Sequence, residues 1–201
     1  MKYLILLLLP LLFSCEEYPD NNFITEDAHI KNVAFKKKQK NELLTSFEVY
    51  NLMEKIIVSQ IDSNQYQFKL NKVDLRKCIT AMICVESGHL NSSLVLINNL
   101  LGIKVLKLRP SLKFPSDEYN KNQKKMISEL SNFAAFFSFE DCIHNWFTIM
   151  KGKRFLKVRE SENISDFLFY IQKCGYATDP AYMSLCYEKI ILIKKEQLSK
   201  N

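Results

Sequence analysis

Val73-Asp74-Leu75-Arg76-Lys77-Cys78-Ile79-Thr80-Ala81-Met82-Ile83-Cys84-Val85-Glu86-Ser87-Gly88 is the stretch from which the fold is read. Leu75, Cys78, Ile79, Met82, Ile83 and Val85 put apolar groups on more than one face of a helix. A helix that is apolar nearly all round is buried. Glu86 closes the run, and Gly88 is the residue type that stops a helix. A carboxyl therefore emerges from apolar surroundings at a helix–loop edge. Burial disfavours its charged form, so its pKa rises and it keeps a proton near neutral pH. Glycosidic cleavage needs such a donor for the leaving oxygen. One Glu after a helix is, by itself, more often a surface charge or an ion-pair partner, so the rest of the chain decides.

Upstream, Phe47, Tyr50, Met53, Ile57 and Ile61 recur every three or four residues and predict one amphipathic helix. Downstream, the chain reads as a short helix over 92–97, then β-compatible residues around Gly102 from Leu100 to Leu108. A loop or hairpin follows over 109–125, where Pro110 and Pro115 fall. Ser138-Phe139-Glu140-Asp141 is a capping box opening a helix over 142–150. A helix over 163–174 is stopped by Gly175. Asp179 caps the last helix, 181 to 194, with Pro180 at its first position. Roughly six helices with one small β element make an α+β, mostly α, architecture. Phe133, Phe136, Phe137, Phe139 and Trp146 are expected mainly in the core, with some left to line a groove.

Of the 201 residues, 47% are hydrophobic and 25% charged, which excludes wholesale disorder. Only 4 Gly and 5 Pro exclude collagen-like repeats and disfavour a turn-rich β sandwich. Residues 46–201 hold 22 Lys and Arg against 16 Asp and Glu. That mild basic excess suits an anionic partner, but no RNP-like, zinc-finger or Arg-rich motif accompanies it, so nucleic acid is not expected. Cys15 aside, Cys78, Cys84, Cys142, Cys174 and Cys186 are odd in number, so at least one is free or pairs between chains. Cys78 and Cys84 stand about 240° apart around one helix and cannot bridge there. His29, His89 and His144 lie at no metal-ligand spacing with cysteine, and no Gly-rich nucleotide loop is present. Neither metal nor cofactor is expected.

At the N-terminus, Lys2 precedes an apolar run from Leu4 to Phe13. A spanning helix needs about 20 apolar residues, so this run has the length of a signal-peptide core instead. Leu12-Phe13-Ser14-Cys15 resembles a bacterial lipobox, although Phe13 is an unusual occupant of its position. Residues 1–14 are read as a lipoprotein signal and Cys15 as the lipidated residue; an ordinary secretory signal is the competing reading. Acyl chains on Cys15 would hold the protein to a membrane. Residues 15–45 carry mixed charge, from Glu16, Glu17 and Asp20 to Lys36, Lys37, Lys38 and Lys40, without an apolar period. They are expected to be a flexible tether with no packed core. Residues 46–201 form the folded domain.

Three strings then occur in order: Val85-Glu86-Ser87-Gly88, Asn98-Asn99-Leu100-Leu101-Gly102-Ile103-Lys104, and Gly175-Tyr176-Ala177-Thr178-Asp179-Pro180-Ala181-Tyr182. Together they resemble the glucosaminidase domain of glycoside hydrolase family 73, the flagellar-muramidase-like and autolysin-type peptidoglycan hydrolases. The family's strings are close to ESGWG, NNLFGIK and GYATDPxY. The third matches fully, and Leu101 stands where the second has Phe. The resemblance runs from about residue 46 to 195. It implies a lysozyme-like fold whose helical lobe and small β lobe flank a glycan groove. It implies hydrolysis of the β-1,4 bond between N-acetylglucosamine and N-acetylmuramic acid, hence peptidoglycan strands as partner and the cell envelope as location.

Residue by residue, the resemblance implies Glu86 as general acid, Asn99 as part of the groove floor and Tyr176 as a catalytic-site tyrosine. Asp179 stays mostly structural. Asp117-Glu118-Tyr119-Asn120 resembles the family's T-x-E-Y stretch, which makes Glu118 the first candidate for a second carboxylate and Asp117 the next. A widely spaced pair would admit a water and invert; otherwise the substrate acetamido group could be the nucleophile. Both mechanisms stay open. His89 and Leu90 depart from the usual Trp-Gly, and His89 would be a smaller platform for a sugar than indole. Two other functional readings stand beside this one: a peptidoglycan-binding lipoprotein that has lost turnover, and a lysozyme or lytic transglycosylase.

Overall fold

The computed structural model describes residues 22–64, 67–106, 109–120 and 122–200. Helices α1 (Asn22–Gln39), α2 (Ser46–Leu52), α3 (Glu54–Asn64) and α4 (Lys72–Glu86) come first. A 3-10 turn over Ser93–Ile97 leads to an antiparallel hairpin of β1 (Ser111–Asn120) and β2 (Lys125–Ala134). Helices α5 (Phe139–Met150), α6 (Leu156–Arg159), α7 (Ile164–Lys173) and α8 (Tyr182–Ser199) follow.

The apolar stretch that opened the reading is α4, and it runs through the middle of the helical lobe. Leu75, Cys78, Ile79, Met82, Ile83 and Cys84 are buried, with α2, α3, α7 and α8 packed around them. Asn71 caps the start, its side chain accepting from the Asp74 amide at 3.0 Å. Gly88, at φ +55, turns the chain away after the end. Beside α4, Phe68 stacks on Trp146 at 6.1 Å and meets Phe147 edge-on at 5.6 Å. Each large side chain so removed from water contributes about 1.5–3 kcal/mol. The fold is mostly helical with one small two-stranded sheet.

Several local expectations are corrected. The helix expected from Phe47 to Ile61 is two helices broken at Met53. Val49, Tyr50, Ile56, Ile57 and Ile61 all point inward, so the apolar spacing continues through the break. Residues 100–106 are not a strand; Lys104 makes one isolated bridge to Phe133. The hairpin lies further on, and Pro115 sits inside β1. A two-stranded sheet leaves every strand an open edge, where the missing proline N–H is tolerated. The last helix begins at Tyr182, because Asp179 holds the Ala181 amide at 2.8 Å in the preceding turn.

The largest correction concerns residues 15–45. Residues 22–39 are the helix α1, and it is packed. Ile30 is fully buried, Val33 and Ala34 lie against the core, and the Asp27 carboxylate accepts from the Phe139 amide at 2.9 Å. That amide opens α5, where the helix dipole favours a negative group. Residues 1–14, Cys15 and the start of the expected tether lie outside the described residues. Cys78, Cys84, Cys142, Cys174 and Cys186 are all free thiols. Among the described residues no helix is long and apolar enough to cross a membrane.

Candidate active site

A groove of about 850 Å³ separates the end of α4 from the hairpin. Val85, Glu86, Gly102 and Lys104 line it from one side, Phe114, Asp117, Glu118 and Met126 from the hairpin, and Tyr176, Thr178 and Tyr182 from the α7–α8 connection.

Glu86 is the last residue of α4, so its carboxyl sits at the negative end of a helix dipole. It is partly exposed to the groove and enclosed elsewhere. Burial is the main reason its pKa is pushed up to about 7, and the negative charge of Glu118 pushes the same way. Tyr182 and Lys104 oppose the shift but do not cancel it. The buried Tyr182 hydroxyl makes no well-formed hydrogen bond among the described residues. It lies close enough to Glu86 to favour the carboxylate once that forms.

Gly102 packs directly on this carboxyl. A Cβ at Gly102 would stand 2.3 Å from Glu86 Oε2 and 3.1 Å from its Cδ. Its φ of +60 is also left-handed, so glycine is required there twice over.

Glu118 is the electrostatic opposite of Glu86. Partial burial works against its charge, but the Lys104 ammonium at 2.6 Å, Ser116 Oγ at 2.7 Å and Thr178 Oγ1 at 2.9 Å all donate to it. These donors outweigh burial and hold its pKa below the usual value. One carboxyl biased to keep its proton and another biased to lose it form the pairing that acid–base chemistry uses.

Residues 64–196 match the glucosaminidase family, described as mannosyl-glycoprotein endo-beta-N-acetylglucosaminidase. The chain belongs to the glucosaminidase family. It is a glycoside hydrolase with a lysozyme-like fold. The chain is similar to a peptidoglycan hydrolase mutant from Sphingomonas sp. A1, at 20% identity over 71% of this chain and 94% of that one, with a TM-score of 0.57. It is similar to the catalytic domain of the autolysin Auto from Listeria monocytogenes, at 18% identity over 81% and 94%, with a TM-score of 0.57. The glycoside hydrolase domain of Salmonella typhimurium FlgJ is similar at 16% identity over 78% and 94%, with a TM-score of 0.54. No curated protein matches in sequence.

In this glucosaminidase the other expected site residues separate into those at the groove and those behind it. Asp117 faces the groove from an exposed position on β1. Tyr176 lines it too, but its hydroxyl already donates to the Leu101 carbonyl at 2.7 Å. That bond fixes the peptide just before Gly102. Asn99 is fully buried and does not reach the groove. Its side chain donates to the carbonyls of Ile103 (2.7 Å) and Ala134 (2.9 Å) and accepts from the Ile103 amide (2.9 Å). It fastens the Gly102 turn to the base of the hairpin. Asn99→Ala should cost about 2–4 kcal/mol in urea unfolding, because it leaves the buried Ile103 amide without its acceptor and takes a donor from the carbonyls of Ile103 and Ala134; a loss under 0.5 kcal/mol would contradict that role.

His89 does not lie at the groove of the glucosaminidase. With φ +57 it turns toward α2, its Nε2 3.2 Å from Ser46 Oγ, and burial lowers its pKa. The left-handed backbone at Gly88, His89 and Leu90 directs the ring away from the sugar side. Phe136, Phe139 and Trp146 belong to the core, while Phe133 is buried at the groove wall. Gly102, Lys104, Thr178 and Tyr182 were not singled out from the sequence. All four lie within the second and third strings, which was the available signal. Phe114 and Met126 also line the groove, and nothing in their sequence surroundings marked them.

Proposed function

We propose that the chain cleaves the β-1,4 bond between N-acetylglucosamine and N-acetylmuramic acid in peptidoglycan, with Glu86 as general acid. The observation that carries this is a carboxyl kept protonated to about pH 7 in the wall of a long groove. Membership of the glucosaminidase family supports the bond type, and the folds of the similar hydrolases support the substrate. Glu86 gives its proton to the leaving oxygen. A water then bonds to the sugar carbon that has lost the leaving oxygen, and Glu118, held ionised, offsets the positive charge on the ring and takes the water's proton. The Tyr182 hydroxyl, buried beside Glu86, can then donate to the new carboxylate. Phe114 and Met126 offer apolar surface to sugar faces.

The test is digestion of cell-wall sacculi by the purified chain, with mass spectrometry of the new ends. Reducing N-acetylglucosamine is the expected product. Reducing N-acetylmuramic acid would indicate a lysozyme, an anhydro end a lytic transglycosylase, and binding without soluble products a protein that has lost turnover.

Such a substrate places the protein in the cell envelope. The proposal includes a lipid anchor on Cys15, supported by Leu12-Phe13-Ser14-Cys15. A palmitate analogue should label the wild type and not Cys15→Ala; an unlabelled wild type would remove the anchor from the account.

A further inference from the structure

We infer that α1 adds a second cleft to the groove, one that takes the peptide stem carried by the muramic acid. The inference rests on the peptidoglycan reading of the groove. A cleft of about 440 Å³ lies between α1 and the chain after α4. It shares Asn91, Ser92 and Ser93 with the active-site groove, so the two hollows meet along those residues. The region matched to the family begins at residue 64, so α1 lies outside it.

The walls of the cleft suit a short acidic peptide better than a sugar. Phe35 is 58% exposed and Leu96 79% exposed, two large apolar side chains facing water in one hollow. Lys38 is exposed on the same wall, and its ammonium makes no ion pair or hydrogen bond among the described residues. The ammonium of Lys31, nearby, is held by Asn98 Oδ1 at 2.6 Å. Asn91 brings a side-chain amide, without a partner among the described residues, to the junction of the two hollows. A glycan strand whose lactyl groups are amide-linked carries no charge for Lys38 to meet. The stem peptide carries free carboxylates and methyl side chains, which match a lysine beside apolar surface. Asn91 is placed to pair with the amide where stem and strand join.

The test measures binding by calorimetry on the full chain carrying Glu86→Gln, which slows turnover about 10³-fold. The probes are soluble glycan oligomers with their stem peptides, and the same oligomers after an amidase has removed them and the freed lactyl carboxylates have been converted to amides. The peptide-bearing form should bind about fivefold tighter, the scale of one partly exposed charge pair. Adding Phe35→Ala and Lys38→Glu should erase that preference and leave affinity for the peptide-free oligomer unchanged. Both side chains are exposed, so an unchanged Tm is expected and checks the fold. Equal binding of the two oligomers by the parent, a preference that survives the double change, or an equal loss for the peptide-free oligomer would each overturn the inference. Failure of the hydrolase reading shows separately, as wild-type chain that releases nothing from sacculi.

Discussion

Glu86→Gln is expected to lower turnover on sacculi about 10³-fold, the scale of a lost general acid, and yet to stabilise the fold above neutral pH. The two effects have one cause. An unstructured Glu titrates near 4.5, and burial in the native groove pushes this one to about 7. Between those values the native state binds a proton that the unfolded chain does not. Stability is therefore full below pH 4.5 and is lost as pH rises through 7. At pH 8 the ionised carboxyl costs about 3 kcal/mol. Gln carries no such charge. The variant should melt several degrees above the wild type at pH 8 and level with it at pH 4. Equal melting at pH 8 would show that Glu86 is not held protonated.

Gly102→Ala should be nearly as damaging to activity, although it replaces no titratable group. The new methyl would stand 2.3 Å from Glu86 Oε2, so the carboxyl must move. Small misplacements of a reacting group cost about 10²-fold. The left-handed φ adds a strain of about 1–2 kcal/mol, visible in urea unfolding. The loss should fall on kcat rather than KM, since the groove walls that hold the sugar are intact. A variant with wild-type kcat would mean that Glu86 is not seated against Gly102 during the reaction.

What could be read from the sequence followed how strongly each segment's burial was printed in its residues. Helix α4 was legible because Leu75 to Val85 is apolar on several faces, and its end because Ser87-Gly88 cannot extend it. Helix α7 was legible through Asn163, which caps it, and Gly175, which adopts φ +72 after it. Helix α1 was missed because it buries only a thin stripe, Ile30 with parts of Val33 and Ala34, amid a run of lysines. Its inward carboxylate, Asp27, reads in sequence as one more solvated charge. The hairpin was placed only as a possibility because both its faces are largely exposed, so its strands lack apolar alternation.

The site divides in the same way. Glu86 stood out through its position at the end of a buried helix. Glu118 was singled out by likeness to a family string, and what keeps it charged, Lys104 and Thr178, is brought in from distant segments. Such long-range partners leave no local pattern. His89 was misplaced because spacing after Glu86 says nothing of the three consecutive left-handed residues that turn its ring away.

The pH dependence of kcat/KM on a soluble glycan tests the central claim most directly, since it reports the ionisations of the free enzyme. With Glu86 proposed as the general acid, the form with Glu86 protonated and Glu118 charged is the one expected to be active. The rate should fall as pH rises through about 7, where Glu86 loses its proton, and fall again on the acid side only below the usual Glu range. A rate that stays level or keeps rising to pH 8 and beyond would show the ionised Glu86 to be active and would contradict the account.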